Sequence, residues 1–191
     1  MIQSVRQTVL SVLNKNNYGY ISPSDFNLYA KQAQLDIFED YFYIYNYQIN
    51  KENARQSGTG MADLKKSLAE VLEFFSVSAD LTHIPATNTF TAPTTATTGS
   101  DYYLINKVLF NNGTSFQEME KVTHSKITML INSMLTAPNE TFPAYTLEAD
   151  IITAYPTTID TAGEVRCQYF RYPADPKWTY KTIAVGEPLF D

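Results

Sequence analysis

The sequence has little of what catalytic and metal sites are usually built from. Its 191 residues include one cysteine, Cys167, and two histidines, His83 and His124. A single cysteine excludes an intramolecular disulfide and a cysteine-based zinc cluster, and two histidines exclude a three-histidine zinc site. We therefore expect stability to come from packing, and we expect neither a cofactor nor a metal ion.

Positive charge is also scarce, with 14 Lys and Arg against 20 Asp and Glu and a net charge of −6. Such a surface does not favour nucleic acids, whose binding rests on Lys and Arg that displace counterions. Neither a dinucleotide-binding glycine motif nor a P-loop occurs. No apolar run approaches the roughly 18 residues of a membrane span, and the N-terminus has no apolar signal region, so a cytoplasmic location without membrane contact is expected.

Aromatic residues, in contrast, are abundant. Tyr (14) and Phe (11) bring the aromatic fraction to 14%, while charged residues make up only 18%. Aromatic-rich, charge-poor surfaces suit large permanent interfaces. The alternative is an aromatic core under a polar, uncharged surface. The length and the 44% of hydrophobic residues allow one large domain or two small ones.

The N-terminal region, residues 1–76, is predicted to hold a bundle of three helices. The first covers residues 2–13. The second has Ser22 as N-cap, Pro23 at its first position and Asp25 in its first turn, and runs to about residue 48. The third passes through Leu64, Leu68, Val71, Leu72 and Phe75. The buried faces expected for the first two are Ile2, Val5, Val9, Val12 and Leu13, and then Phe26, Tyr29, Ala30, Ala33, Ile37, Phe38, Tyr41 and Phe42.

Residues 77–100, rich in Thr and Pro, are predicted to form a loop or an extended arm. Residues 101–191 are predicted to be β-rich, starting with a strand in "DYYLINKVLF", an Asn-Gly turn and a return strand in "FQEMEKV". One helix is inserted, with Ser125 as its cap, Pro138 as its end and an apolar face of Ile127, Leu130, Ile131, Met134 and Leu135. The fold class is therefore α+β, with residues 1–76 and 101–191 in one compact unit.

Three motifs suggest chemistry only weakly. Residues 14–25 have the length of an EF-hand loop, but its ligand positions hold neutral Asn14 and Asn16, then Tyr18, and Asp25 in place of a bidentate Glu. A helix end followed by a helix start explains the same residues. Ser125 beside His124 lacks the strand–turn–helix context of a catalytic serine. Carboxylate pairs for acid–base catalysis can be drawn from a set that the sequence cannot bring together: Glu39, Asp40, Glu70, Glu73, Glu118, Glu120, Glu148 and Asp150.

The stretch "VRCQYFRYPADPKWTY" (165–180) combines a strand pattern with two prolines and the only tryptophan. Val165, Cys167 and Tyr169 share one face of the strand. The candidate interaction or structural residues follow, and they are Arg171, Tyr172, Pro173, Pro176 and Trp178. Trp178 either packs within its own domain or lies at an interface or ligand site.

This stretch, "AYPTTI", "FPAYTLE" and "LTAPNETFP" occur in an order that resembles a virion structural protein family of podovirus-type tailed phages, most closely the crAss-like phages. "VLNKNNYGYISPSDFNLYAKQAQLDIFEDYF" resembles the opening of that family, with its Gly-Tyr-Ile-Ser/Thr-Pro turn. The resemblance covers roughly residues 5–50 and 100–191. No catalytic residues are carried over from it.

The resemblance implies a non-enzymatic head-to-tail connector or neck ring protein. Its expected partners are copies of itself, in a ring of twelve, together with the portal protein and other neck or tail rings. It would be assembled in the cytoplasm of the bacterial host and would let DNA pass without binding it specifically. Two alternatives stay open: a tail-associated carbohydrate- or receptor-binding module that uses Tyr102, Tyr103, Tyr172 and Trp178, and a polysaccharide hydrolase.

Overall fold

The computed structural model describes residues 2–12, 23–53, 62–178, 180–184 and 187–190. These residues contain both helices and strands, so the α+β class is confirmed. The chain divides into two compact units, whereas the sequence predicts a single one. Met1–Lys65 and Pro173–Asp191 form the first, here called the helical unit, and Lys66–Tyr172 form the second, here called the sandwich unit.

The helical unit contains helix α1 (Ile2–Val12), helix α2 (Pro23–Asn53) and a hairpin of strands β10 (Tyr180–Ala184) and β11 (Glu187–Phe190). Helix α2 begins at proline, as predicted, because proline lacks the N–H group that a first helical turn leaves unbonded. Its predicted cap, Ser22, lies outside the described residues. The helix continues five residues beyond the predicted end near residue 48.

The predicted buried faces of both helices are partly wrong. Helix α2 buries Phe26, Phe38 and Phe42, but Tyr29 and Ile37 on the predicted face are exposed. Apolar residues surround this helix on all sides, so their spacing does not single out one face. In helix α1 the predicted Val5 and Val12 are exposed, and the half-buried positions are Arg6, Val9 and Leu10.

The third predicted helix is α3 (Ala62–Glu73), with Leu68 and Leu72 buried. The strands that follow it are β1 (Ser76–Asp80), β2 (His83–Ile84), β3 (Thr89–Thr91), β4 (Tyr102–Asn111), β5 (Phe116–Glu118), β6 (Glu120–Lys121), β7 (Ala144–Glu148), β8 (Ile151–Tyr155) and β9 (Val165–Arg171). Two short helices interrupt them, α4 (Thr95–Thr98) and α5 (His124–Ile131). One helix was predicted in this region, and two are present.

The strands of the sandwich unit form two sheets that enclose one core. The first sheet has the order β1-β9-β4-β5 and the second β2-β3-β8-β7-β6. Buried side chains from both sheets belong to a single cluster, among them Phe90, Val108, Ile152 and Tyr169. Buried Met119 lies between β5 and β6, where the chain passes from one sheet to the other. This architecture is a two-layer β-sandwich.

Strand β9 alternates as the sequence predicts. Val165, Cys167 and Tyr169 are fully buried, whereas Arg166 and Gln168 between them are not. Strand β9 pairs antiparallel with β1 on one side and with β4 on the other, so it lies inside its sheet. The predicted hairpin is present in part. Strand β4 pairs antiparallel with β5 across the turn that contains Asn112 and Gly113, but the pairing ends at Glu118, and the rest of the predicted return strand forms β6 in the other sheet.

The prediction of a loop or arm for residues 77–100 is wrong. This segment contains most of β1, together with β2, β3 and α4, and Phe90 and Ala92 are completely buried between the sheets. The hydroxyl of Tyr169 donates a hydrogen bond to Thr98 Oγ1 at 3.0 Å and lies 2.9 Å from Ser100 Oγ, which ties the end of the segment to β9. Its prolines misled the prediction: Pro93 follows β3 instead of interrupting a strand.

Helix α5 is shorter than predicted and starts earlier. Its N-cap position is Thr123, not Ser125, and its C-cap is Asn132, well before Pro138. Of the predicted apolar face, Ile127 is buried and Leu130 is half-buried, while Met134 and Leu135 lie beyond the helix and are exposed. The prediction assumed one continuous helix up to Pro138 and therefore wrongly placed Met134 and Leu135 on its buried face.

Burial gives Cys167 a testable property. Desolvation in the core raises the pKa of its thiol to about 12, from an ordinary value of 9.0. Because the thiolate is the reactive form, its fraction at pH 8 should fall about a thousandfold in the folded chain. We expect DTNB to label Cys167 at least a hundredfold more slowly in buffer than in urea, and equal rates would contradict a buried cysteine.

The raised pKa of Cys167 also predicts that the free energy of unfolding falls above about pH 9, because the thiol of the unfolded chain then releases its proton while that of the folded chain does not.

Candidate interaction surfaces

The prolines and the tryptophan that follow strand β9 lie along helix α2. Lys31 Nζ lies 2.9 Å from Asp175 Oδ2, and Gln34 Nε2 donates a hydrogen bond to the carbonyl oxygen of Ala174 at 3.1 Å. As the segment advances toward Trp178, it contacts residues that lie progressively earlier in the helix, first Gln34, then Lys31 and finally Asn27. The segment therefore runs antiparallel to α2. Proline is well suited to such an extended path, because it fixes its own backbone angle. Pro173 and Pro176 are half-buried in this segment.

Trp178 is the anchor of the segment. Its side chain is 7% exposed, and its ring lies edge-to-face with Phe26 at a centroid distance of 6.3 Å. The guanidinium carbon of Arg6 lies 4.2 Å from the centroid of the tryptophan ring, a cation–π contact from helix α1. Asn27 fixes the backbone, because its Oδ1 accepts a hydrogen bond from the Trp178 N–H at 2.7 Å. The tryptophan thus packs within its own unit.

Arg171 and Tyr172 belong to the sandwich unit, not to this anchor. The backbone N–H of Arg171 donates to the carbonyl oxygen of Phe75 at 2.9 Å, and that of Tyr172 donates to the carbonyl oxygen of Asp101 at 3.1 Å. Both side chains are exposed. The five candidate residues therefore do not form one site: three lie with helix α2, and two end strand β9.

The aromatic set proposed for a carbohydrate site is only partly brought together. Tyr103 and Tyr172 meet edge-to-face at a centroid distance of 5.3 Å, and Tyr172 is 42% exposed. Tyr102 is half-buried, and its hydroxyl donates to Asp150 Oδ1 at 3.4 Å. Burial of Trp178 removes it as a stacking surface. What remains is a single tyrosine pair.

A second candidate surface comes from the end of helix α5 and the turn after it, here called the 129–142 segment. Four large apolar side chains in this segment are 74–103% exposed, and they are Met129, Met134, Leu135 and Phe142. A tight turn holds Phe142 outward, because Asn139 Oδ1 accepts hydrogen bonds at 2.9 Å from the N–H groups of Thr141 and Phe142. Exposed apolar side chains concentrated in this way are typical of contact sites between proteins.

Sequence reasoning missed this surface because it extended the helix to Pro138. The pair Asn132–Ser133 is the feature that could have revealed it: polar, poor helix formers follow Ile131 directly. With the helix ended there, Met134 and Leu135 have no buried face to join.

The described residues assemble little catalytic chemistry around the two histidines. His83 Nε2 lies 3.0 Å from Asn88 Oδ1, and His124 Nδ1 lies 2.6 Å from Glu148 Oε1 at an exposed position. Ser125 Oγ is 3.4 Å from the hydroxyl of Thr123, and within the described part of the chain it makes no hydrogen bond to a histidine. Within the described ranges, no three His, Cys, Asp or Glu side chains are arranged to hold a metal ion. The EF-hand-like motif falls almost entirely outside those ranges, at residues 14–22.

No helix among the described residues is long and apolar enough to cross a membrane. The chain matches no protein family model, and the search of curated proteins found no match.

Proposed function

We propose that this chain is a non-enzymatic structural protein of a bacteriophage virion, a ring-forming subunit of the head-to-tail connector, neck or tail. The sequence resemblance over residues 5–50 and 100–191 names the class. The observation that carries ring formation is the 129–142 segment, whose four apolar side chains are each at least 74% exposed. Large apolar groups held outward on short, hydrogen-bonded elements favour contact with another protein over catalysis.

In this proposal the 129–142 segment of one subunit contacts a different surface of the next subunit, which is the type of contact that closes a ring. Twelve copies would form the ring, stacked against the portal or a neighbouring tail ring. The net charge of −6 would let DNA pass through the channel without adhering. The proposal also keeps the prediction that the three N-terminal helices form one bundle.

The mass of the purified chain tests this proposal. Mass photometry should detect an assembly of twelve times 21.6 kDa, either alone or after the portal of the same phage is added. Leu135→Asp should reduce the assembly to monomers at the same concentration, because a buried charge would replace an apolar contact. Thr114→Asp introduces the same charge at an exposed position in the turn between β4 and β5, outside the 129–142 segment, and should still assemble.

A monomer that ignores the portal, or assembly that Leu135→Asp leaves intact, would count against this function. The second candidate, a carbohydrate-binding module, is favoured by the Tyr103–Tyr172 pair alone. It predicts that an isolated monomer binds glycans on an array and that Tyr172→Ala abolishes this binding. A ring subunit should show neither property.

A further inference from the structure

Helix α2 exposes a regular row of residues on the side opposite its buried Phe38 and Phe42. The row follows spacings of four and three residues, which are those of a coiled-coil contact line. It is here called the α2 seam, and its members are Tyr29, Ala33, Asp36, Asp40, Tyr43 and Tyr47. All six positions are exposed, whereas Phe38 and Phe42 on the other side are buried. One helix therefore has a face packed inside its unit and a second face shaped for contact.

The apolar part of the seam is large. Tyr29, Tyr43 and Tyr47 are 70%, 71% and 53% exposed, which amounts to roughly 300–500 Å² at the size of an aromatic side chain. Ile37 and Ile44 widen this surface and are also exposed. This area is comparable to that of the largest apolar patch on a typical monomer, and such patches are often functional. From Tyr29 to Tyr47 the seam is about 27 Å long, enough for five turns of a partner helix.

The centre of the seam is acidic. Asp36 Oδ1 accepts a hydrogen bond from Gln32 Nε2 at 2.8 Å, and Asp40 lies one turn further along the same row. Among the residues that the structure describes, no Lys or Arg forms an ion pair with either aspartate. A partner that covers the tyrosines must therefore also accommodate two negative charges between them.

A second copy of this seam does not meet that requirement. If two copies of α2 paired antiparallel, Tyr29 of one would face Tyr47 of the other, and Asp36 would face Asp40. Parallel pairing would place each aspartate against its equivalent. Either arrangement puts like charges at the centre of the contact, and such contacts disfavour pairing. The aspartates thus act against self-pairing through α2.

Other surfaces of a second copy carry five described cations without an ion pair, namely Lys51, Lys66, Lys121, Arg171 and Lys177, but no described helix carries two of them three or four residues apart, as Asp36 and Asp40 would require. In the described ranges Lys31, Lys107 and Lys126 are each already paired with a carboxylate, at 2.9, 2.8 and 3.6 Å. Arg166 is paired with Asp80 at 2.6 Å, and Arg6 stacks on Trp178. None of the described helices of this chain can therefore place two free cations opposite Asp36 and Asp40, and charge complementarity points to a helix of a different protein.

We propose that the α2 seam binds a helix of a different protein, one with Lys or Arg at two central positions and apolar side chains on either side. The tyrosines provide contact area, and the aspartates select the partner by charge. This inference is independent of the ring proposed above, which would use the 129–142 segment. It adds to the proposed function a surface for a partner of another kind.

The test uses the full-length chain and two synthetic amphipathic helical peptides of about 21 residues, or three heptads. The peptides share apolar contact positions and differ only at two central positions, which are Lys in one and Glu in the other. Fluorescence anisotropy should show at least about tenfold tighter binding of the Lys peptide. The double variant Asp36→Lys/Asp40→Lys should reverse the preference. Glu70→Lys/Glu73→Lys, an exposed acidic pair on α3, is the matched control and should leave it unchanged.

Several outcomes would overturn the inference. Equal affinities for the two peptides, or no binding of the Lys peptide at about 100 μM, would show that the seam does not select by charge. Self-association of the wild-type chain that Tyr43→Lys abolishes would identify a second copy as the occupant. Sedimentation velocity detects that outcome without reference to the peptides. Assembly of the Leu135→Asp variant addresses the ring alone, so the two proposals can fail separately.

Discussion

Replacing Trp178 with alanine should lower the free energy of unfolding of the helical unit by about 3–5 kcal/mol, the usual range for a buried aromatic residue. The variant removes the edge-to-face contact with Phe26 and the cation–π contact with Arg6 together. It also leaves a cavity beside helix α2, at the point where Asn27 holds the backbone. Urea denaturation followed by far-UV circular dichroism measures the effect, since the signal of α1 and α2 does not depend on tryptophan fluorescence.

Tyr172→Ala is the matched control, because it removes an exposed aromatic residue six positions earlier. Its effect should stay within about 1 kcal/mol, the contribution of an exposed aromatic pair. If Trp178→Ala melted like the wild type but failed to assemble, the tryptophan would belong to an interface between subunits. A loss of less than about 1 kcal/mol in both variants would contradict the anchoring role.

The structure shows which parts of the fold the sequence could predict. Strand β9 was predictable because Val165, Cys167 and Tyr169 alternate with polar residues, and alternation depends only on the strand itself. The start of α2 was predictable for the same reason: Pro23 favours a first helical position whatever surrounds it. Local patterns of this kind need no knowledge of the rest of the chain.

The errors in predicting burial arise where residues distant in the sequence decide which side chains are buried. The partners of Trp178 are Arg6, Phe26 and Asn27, about 150 residues or more away, and no local pattern connects them. Helix α2 has apolar and aromatic residues on every side, so only packing distinguishes Phe38, which is buried, from Tyr43, which is exposed. The α2 seam could not be predicted for this reason: its heptad spacing is visible in the sequence, but its exposure is not.

The threonine-rich segment shows a different kind of error, in which the prediction relied on amino-acid composition and overlooked a short strand. The prolines and many threonines of residues 77–100 predict a loop or arm. The short run Thr89–Thr91 nevertheless pairs with β8, opposite Ile151 and Ile152. Threonine is a good strand residue, and a three-residue strand is too short to show a period. The second sheet supplied the neighbour that this run needed.

Phe90→Ala distinguishes the two assignments of that segment most sharply. In an arm the substitution would leave the free energy of unfolding unchanged, but Phe90 is completely buried between the sheets, next to His83 at a centroid distance of 5.1 Å. We therefore expect a loss of about 3–5 kcal/mol. Hydrogen-exchange mass spectrometry should show faster exchange throughout β3, β8 and β9, since one core joins the two sheets. Phe142→Ala, the same change at an exposed phenylalanine of the same unit, should cost no more than about 0.5 kcal/mol. If the two variants were equally stable, Phe90 would not be a core residue and the arm assignment would be correct.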